Sequence, residues 1–141
     1  MADTVTVRKI FDGIRTCEYE FTNLSDSTGE AAVQKIDIST LIGSDGSTAS
    51  TGERPQSLVI IKADWEVIGF PSVSLLWDRT SADEVAILMN DTGRTDYERS
   101  GGKVEANTAA AGTGDILITT NGTATAGDTY RIKVLFRKKY A

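Results

Sequence analysis

The side chains that could carry catalytic chemistry in this sequence are few, and their types exclude most reactions. The chain contains no histidine and one cysteine, Cys17. Without histidine it cannot form a Ser-His-Asp or Cys-His site, a histidine metal site or a histidine general base. Cys17 shares its alternation with Tyr19 and Phe21, so we interpret it as a buried core thiol and not as a nucleophile. We predict that the protein is not an enzyme.

Carboxylates offer a second route to chemistry, by binding a metal or cleaving a glycosidic bond. Several cluster between residues 78 and 91, but their spacing does not match the Asp-x-Asp-x-Asp-Gly pattern of a calcium loop, and no feature pairs two of them across a cleft. The segment GTGD at 112–115 lacks the third glycine and the following helix of a phosphate-binding loop. We predict no metal, no nucleotide or other cofactor, and no small-molecule substrate.

The basic residues are the remaining candidates for a binding surface. The chain has a net charge of −5, yet its two terminal segments, TVTVRKI and YRIKVLFRKKYA, carry seven of the fifteen basic residues. Tyr130 and Phe136 alternate with the basic side chains instead of accompanying them, which disfavours direct nucleic-acid binding. The alternative is a solvated strand face or a strand face that meets a protein partner.

This separation of charge predicts a protein partner, because it brings no obvious benefit to a solvated monomer. Contacts between opposite charges steer encounter and fix register, and salt screens them. We predict that an acidic patch on a partner or a neighbouring subunit meets Arg137, Lys138 and Lys139, and also Arg8 and Lys9 if the two terminal strands lie near each other. A solubilising tail is the alternative that the pattern leaves open.

Short strands must position these residues. The segments RTCEYEFT, IKADWEV and YRIKVLF alternate apolar and charged side chains, a pattern typical of half-buried antiparallel strands. Weaker strand patterns lie at 4–10, 33–40 and 115–120, and in the two arms of a hairpin at 69–91. Together they predict about eight strands, joined by loops rich in Gly and small polar residues.

The second arm of that hairpin also fits a short helix. Ser81 and Glu84 have the spacing of a capping box, which is typical of a helix start. Trp77 and Met89, however, lie symmetrically about the charged turn DRTSADE, as hairpin partners do, and the neighbouring segments are all extended. We therefore predict a strand.

These elements predict an all-β protein with one domain spanning 1–141. Because no helix is long enough to cover a sheet, the strands must bury their apolar faces against each other in an antiparallel β-sandwich, with a jelly roll the natural arrangement for eight strands. Trp65 and Trp77 should be buried between the sheets. The apolar runs are too short for a membrane span or a signal peptide, so we expect neither.

Three segments carry a resemblance that covers most of the chain: the opening TVTVRKIFDGIRTCEYEFTNLSDSTGEAAVQKIDISTL, the central VSLLWD, and the ending GTGDILITTNGTATAGDTYRIKVLFRKKYA. Together they resemble a group of small virion structural proteins of tailed bacteriophages. The resemblance implies a capsid decoration, or cement, protein made in the host cytoplasm. Such a protein is often trimeric and binds the major capsid protein on the outer surface of the virion. A tail, baseplate or fibre-associated component is the alternative, and a carbohydrate-binding module is the third.

Overall fold

The computed structural model of this chain describes residues 3–43, 55, 57–79, 84–103 and 112–139, with only the backbone described for 112–114. Nine strands account for most of these residues. In chain order they are β1 (Thr4–Asp12), β2 (Thr16–Leu24), β3 (Val33–Ile36), β4 (Ser57–Ile68), β5 (Ser72–Arg79), β6 (Glu84–Met89), β7 (Thr92–Asp96), β8 (Gly112–Asn121) and β9 (Thr129–Lys139). Within the described ranges, no helix is long and apolar enough to cross a membrane.

The strands form two antiparallel sheets that share one apolar core. Sheet A has the order β1-β2-β9-β4-β7, and sheet B has the order β3-β8-β5-β6. Buried side chains from both sheets belong to a single cluster, which includes Phe21, Trp77, Ile118 and Phe136. The predicted all-β sandwich is confirmed, and the jelly-roll connectivity stays a prediction.

The strongest alternating segments form the centre of sheet A, as the sequence predicted. β2 and β9 each bury every second side chain, and they pair so that Cys17 lies opposite Phe136 and Phe21 opposite Ile132. Removing these aromatic and branched side chains from water is the main source of stability in such a sandwich. The same alternation leaves the charged residues of both strands on the outer face of sheet A, except for Lys138, which has the inward parity.

The hairpin at 69–91 is a strand pair, but its register differs from the predicted one. β6 is extended over Glu84–Met89, which confirms the strand for that part, while residues 81–83 lie outside the described residues. Trp77 pairs with Glu84, and Met89 pairs with Val73, so the predicted pairing of Trp77 with Met89 is wrong. The hairpin is centred near residue 81, in the middle of DRTSADE, whereas a pairing of Trp77 with Met89 would need a centre at residue 83. A bulge at Ala86 of β6 shifts the register by one further residue.

The segment at 33–40 is extended over only half of its length. β3 ends at Ile36, and Ile38–Thr40 form a turn of 3-10 helix. The Asp37 carboxylate caps this turn by accepting hydrogen bonds from the Ser39 backbone N–H at 3.0 Å and the Ser39 hydroxyl at 2.6 Å. Asp residues favour such local turns over continued strand, which explains the early end of β3.

β7 is a strand that the sequence did not predict, because TGRTD carries no large apolar side chain. It pairs with β4, where Gly93 lies opposite Trp65. A Cβ atom at Gly93 would stand 2.5 Å from a ring carbon of Trp65, so the glycine makes room for the indole. Trp77 is fully buried, whereas Trp65 is half-buried at this edge and packs against the core, so the predicted burial holds in full for Trp77 and in part for Trp65.

Candidate functional site

The predicted partner-binding residues lie on β1 and β9, and the structure brings these two strands close together. Both strands pair with β2, one on each side of it, so they are separated by two strand spacings, or about 10 Å. Arg8, Arg137 and Lys139 are exposed on the outer face of sheet A. Lys9 is also exposed, but it lies opposite the inward-facing Tyr19, and its ammonium is 3.8 Å from the Asp12 carboxylate, so the structure does not bring it together with the other three. The condition that the two terminal strands lie near each other is therefore met.

Lys138 does not belong to this surface, and its predicted role in partner contact is wrong. Its side chain is fully buried and forms an ion pair with the Asp12 carboxylate. The same ammonium donates hydrogen bonds to the carbonyl oxygens of Gly13 at 2.6 Å and Ile42 at 2.7 Å. Lys138 shares the inward parity of Phe136, so the strand turns it away from any partner.

These contacts make Lys138 a clamp that joins three segments of the chain. Asp12 and Gly13 come from the end of β1 and its turn, Ile42 follows the 3-10 turn after β3, and Lys138 lies on β9. The Asp12 carboxylate also accepts a hydrogen bond from the Ile42 backbone N–H at 2.9 Å. All three donors of the ammonium therefore have an acceptor, as a buried charge requires.

Much of the remaining basic charge is balanced by two glutamates of β2. Glu20 lies 3.7 Å from Arg8 and 3.0 Å from Arg131, and Glu18 lies 4.0 Å from Lys133. These pairs are partly exposed, so each contributes little to stability. They nevertheless give the basic termini an internal counter-charge that the linear sequence does not show. Arg137 donates to the carbonyl of Gly101 at 2.8 Å, and Lys139 is exposed where β9 ends.

A second buried polar cluster fixes the loop between β2 and β3. Glu30 accepts hydrogen bonds from Asn23 Nδ2 at 2.8 Å and from the Tyr130 hydroxyl, and it forms a buried ion pair with Lys35. Asp3 accepts a further bond from Asn23 Nδ2 at 3.0 Å. Burial and the neighbouring Glu30 carboxylate raise the pKa of Tyr130, which keeps the phenol protonated as a donor. The cluster ties the loop to β2 and β9.

Cys17 has the environment of a structural thiol. Its side chain is fully buried within sheet A. Burial raises the pKa of Cys17 to about 12, so the reactive thiolate is essentially absent at neutral pH. The interpretation of Cys17 as a core residue agrees with this geometry.

The outer face of sheet A is charged; we call it the charged face. It encloses a depression of about 460 Å³ over β4, β7 and β9. Register places Asp64 between Arg94 and Lys133, so opposite charges are neighbours across the strands. In the described residues, no group of three acidic, cysteine or histidine side chains is arranged to hold a metal ion.

The outer face of sheet B has the opposite character; we call it the apolar face. Leu76 of β5 lies between Val85 of β6 and Leu117 of β8, and Leu88 lies opposite the neutral Ser74. Val85 and Leu88 are 51% and 63% exposed, whereas Leu76 and Leu117 are buried at 7% and 6%. The sequence analysis did not predict apolar residues on the outside of the sandwich. The pattern that indicates them is the presence of Leu76 and Leu117 at positions that alternate with the inward-facing residues of β5 and β8.

The chain was compared with protein families, curated proteins and solved structures. No family model, no curated protein and no solved structure matches the chain.

Proposed function

We propose that this chain is a structural component of a tailed-bacteriophage virion, and that it acts as a capsid decoration protein bound to the major capsid protein. The sequence resemblance suggests this role, and the apolar face is the structural observation that supports it. Two of its four apolar side chains are exposed, and the other two, Leu76 and Leu117, are buried beside them. Exposed apolar side chains grouped on one face favour a protein contact surface. Val85 and Leu88, the two most exposed members, are the proposed centre of the contact.

The design of the fold is consistent with a scaffold role. Buried ion pairs fix the turn after β1 and the loop after β2, so the two sheets present their outer faces on a rigid body. A rigid contact surface loses less conformational entropy on binding, which favours affinity. A decoration protein needs such surfaces more than it needs a pocket.

Rebinding to stripped particles tests the contact through the apolar face. Replacing Val85 and Leu88 together with lysine should weaken rebinding by at least about tenfold, because burying one such side chain contributes roughly 1.5–3 kcal/mol and tenfold corresponds to about 1.4 kcal/mol. Quantitative sedimentation of particles with bound protein measures the effect. The matched control is a double change to alanine at Asp64 and Glu66 on the charged face, and equal rebinding by both variants would contradict the proposal.

The exposed basic residues on the outer face of sheet A form a proposed second contact, which now comprises Arg8, Arg137 and Lys139. Lys139→Glu should slow rebinding at low salt and have little effect at high salt, because salt screens exposed charges within about 8–10 Å. Folding should be unchanged, since Lys139 is exposed. Rebinding rates that match the native protein at both salt concentrations would leave the apolar face as the sole proposed attachment.

Two other roles predict different outcomes. Imaging particles with and without the protein should show added density across the capsid lattice, whereas density at a single vertex would favour a tail component.

A carbohydrate-binding role has one supporting observation, since Trp65 is half-exposed beside the depression of the charged face. Its ring covers Gly93, and its N–H donates to the carbonyl of Asn90 at 3.2 Å, so only part of the indole is free to stack on a sugar.

A further inference from the structure

β1 is an edge strand whose side chains are exposed on both faces of the sheet. It pairs with β2 on one side, and within the described residues no strand pairs with its other side. Val5 and Val7 lie on the inner face of sheet A, opposite Asn23 and Phe21, yet each is 42% exposed. The edge therefore presents unpaired backbone groups together with apolar side chains.

The two edges of sheet A differ in how they oppose pairing. β7 is short, and its outward residues Arg94 and Asp96 are charged, which are the usual protections of an edge. β1 is longer, and its first four residues, from Thr4 to Val7, carry no charge. An unprotected edge of this kind is a template for another strand.

We infer that β1 pairs antiparallel with β1 of a second copy of this chain, about a twofold axis at Thr6, so that the two five-stranded sheets become one ten-stranded sheet. The geometry limits the possible registers. A twofold axis between antiparallel neighbours is perpendicular to the sheet, so each residue must lie opposite one that faces the same side. Only registers centred on a residue of β1 satisfy this condition.

Charge selects the register centred on Thr6. In this register Val5 lies opposite Val7 of the second copy, which gathers four exposed valines on one face. Asp3, directly before β1, then lies opposite Lys9 of the second copy, and Arg8 lies opposite the neutral Thr4. Opposite charges meet at both ends and no like charges meet. Centring the axis on Val7 would instead place Lys9 against Val5.

The charge state of Asp3 is consistent with this pairing. Burial raises its pKa, but hydrogen bonds from Asn23, Ser25 and the backbone N–H groups of Asp26 and Gly29 outweigh that effect and hold the pKa below its usual value. Asp3 is therefore negative at neutral pH. The inferred dimer is independent of the proposed capsid role and replaces the trimer that the resemblance implies, and it leaves the apolar face free.

Cysteine cross-linking tests the register directly. In Thr6→Cys the two new thiols would face each other across the axis, where Cα atoms about 4.5–5.5 Å apart suit a disulfide. We expect a covalent dimer after mild oxidation. In Thr4→Cys, on the same strand and face, the two thiols would be offset by about 13 Å and should not cross-link. The native Cys17 is buried and does not interfere.

Sedimentation equilibrium tests the dimer without cross-linking. The native protein should approach twice the mass of the chain as its concentration rises, and Val5→Lys with Val7→Lys should raise the dissociation constant at least tenfold while thermal melting stays cooperative. The control, Val85→Lys with Leu88→Lys, should dimerise like the native protein even though it loses capsid rebinding. A native protein that is monomeric at every concentration, or a dimer that survives the β1 variant, would overturn the inference. A dimer disrupted by that variant but not cross-linked through Cys at position 6 would overturn the register.

Discussion

Replacing Lys138 with methionine should lower the free energy of unfolding by about 3–5 kcal/mol, because it leaves the buried Asp12 carboxylate without its counter-charge. The hydrogen bonds to the carbonyls of Gly13 and Ile42 are lost in the same change. Methionine matches the length of the lysine stem, so packing is largely kept and the effect reports on the charge. Urea denaturation followed by tryptophan fluorescence measures it.

The clamp is distinguished from a general basic patch by two further variants. Lys139→Met removes a neighbouring exposed lysine and should change the free energy of unfolding by no more than about 0.5 kcal/mol. Adding Asp12→Asn to Lys138→Met should cost less than the sum of the two single changes, because the second change removes the uncompensated charge. Additive costs, or equal costs at positions 138 and 139, would show that Lys138 and Asp12 do not act as a buried pair.

The inward orientation of Lys138 could have been predicted from the sequence, but the basic residues on either side of it pointed to an exposed segment. Residues 137 to 139 are all basic, which suggested one exposed strip, yet the alternation that buries Phe136 also turns residue 138 inward. Parity is a stronger guide than residue type on a regular strand, because a strand cannot rotate one side chain to the other face without a bulge. The acidic partner at residue 12 could not be predicted, since it requires knowing which strand end lies beside β9.

The central strands could be predicted from local sequence patterns. The edge strand and the buried polar contacts could not, because they depend on residues far apart in the chain. Alternation is a property of a few neighbouring residues, so the central strands could be located from the sequence alone. β7 was missed because its inward position opposite Trp65 is occupied by Gly93, whose role exists only once the indole is in place. The bond between Glu30 and Tyr130 joins residues far apart in the chain, so no local pattern contains it.

The charge distribution shows the same limit. The basic termini and the acidic remainder of the chain suggested a surface that binds an acidic partner. In the fold, β2 lies between the two terminal strands and supplies Glu18 and Glu20 to them. Exposed basic residues still offer a contact, but the contact is smaller than the sequence suggested. Among the described residues, the apolar face and the edge of β1 are therefore the surfaces that most favour association with another protein.

Replacing Trp77 with alanine should cost about 3–5 kcal/mol and prevent stable folding in most conditions. Trp77 is fully buried, and its indole N–H donates to the backbone carbonyl of Leu58 at 3.1 Å, which joins β5 of sheet B to β4 of sheet A. The change removes the largest buried side chain and leaves that carbonyl without its donor. The combined loss of the buried side chain and its hydrogen bond is a large fraction of the total free energy of unfolding of a domain of this size.

Trp65→Ala is the matched comparison, because it removes the same side chain from the edge of the same core. Trp65 is half-buried, so we expect a cost of roughly 1–2 kcal/mol and a folded protein. Trp65→Ala should keep a cooperative thermal and urea transition, whereas Trp77→Ala should show none or one at much lower temperature and urea concentration. Similar transitions for the two variants would show that Trp65 is as well packed as Trp77. The folded Trp65→Ala protein also separates the two roles of that residue. If it rebinds stripped particles normally, Trp65 is a packing residue, whereas loss of binding to a glycan that the native protein retains would favour the carbohydrate-binding role.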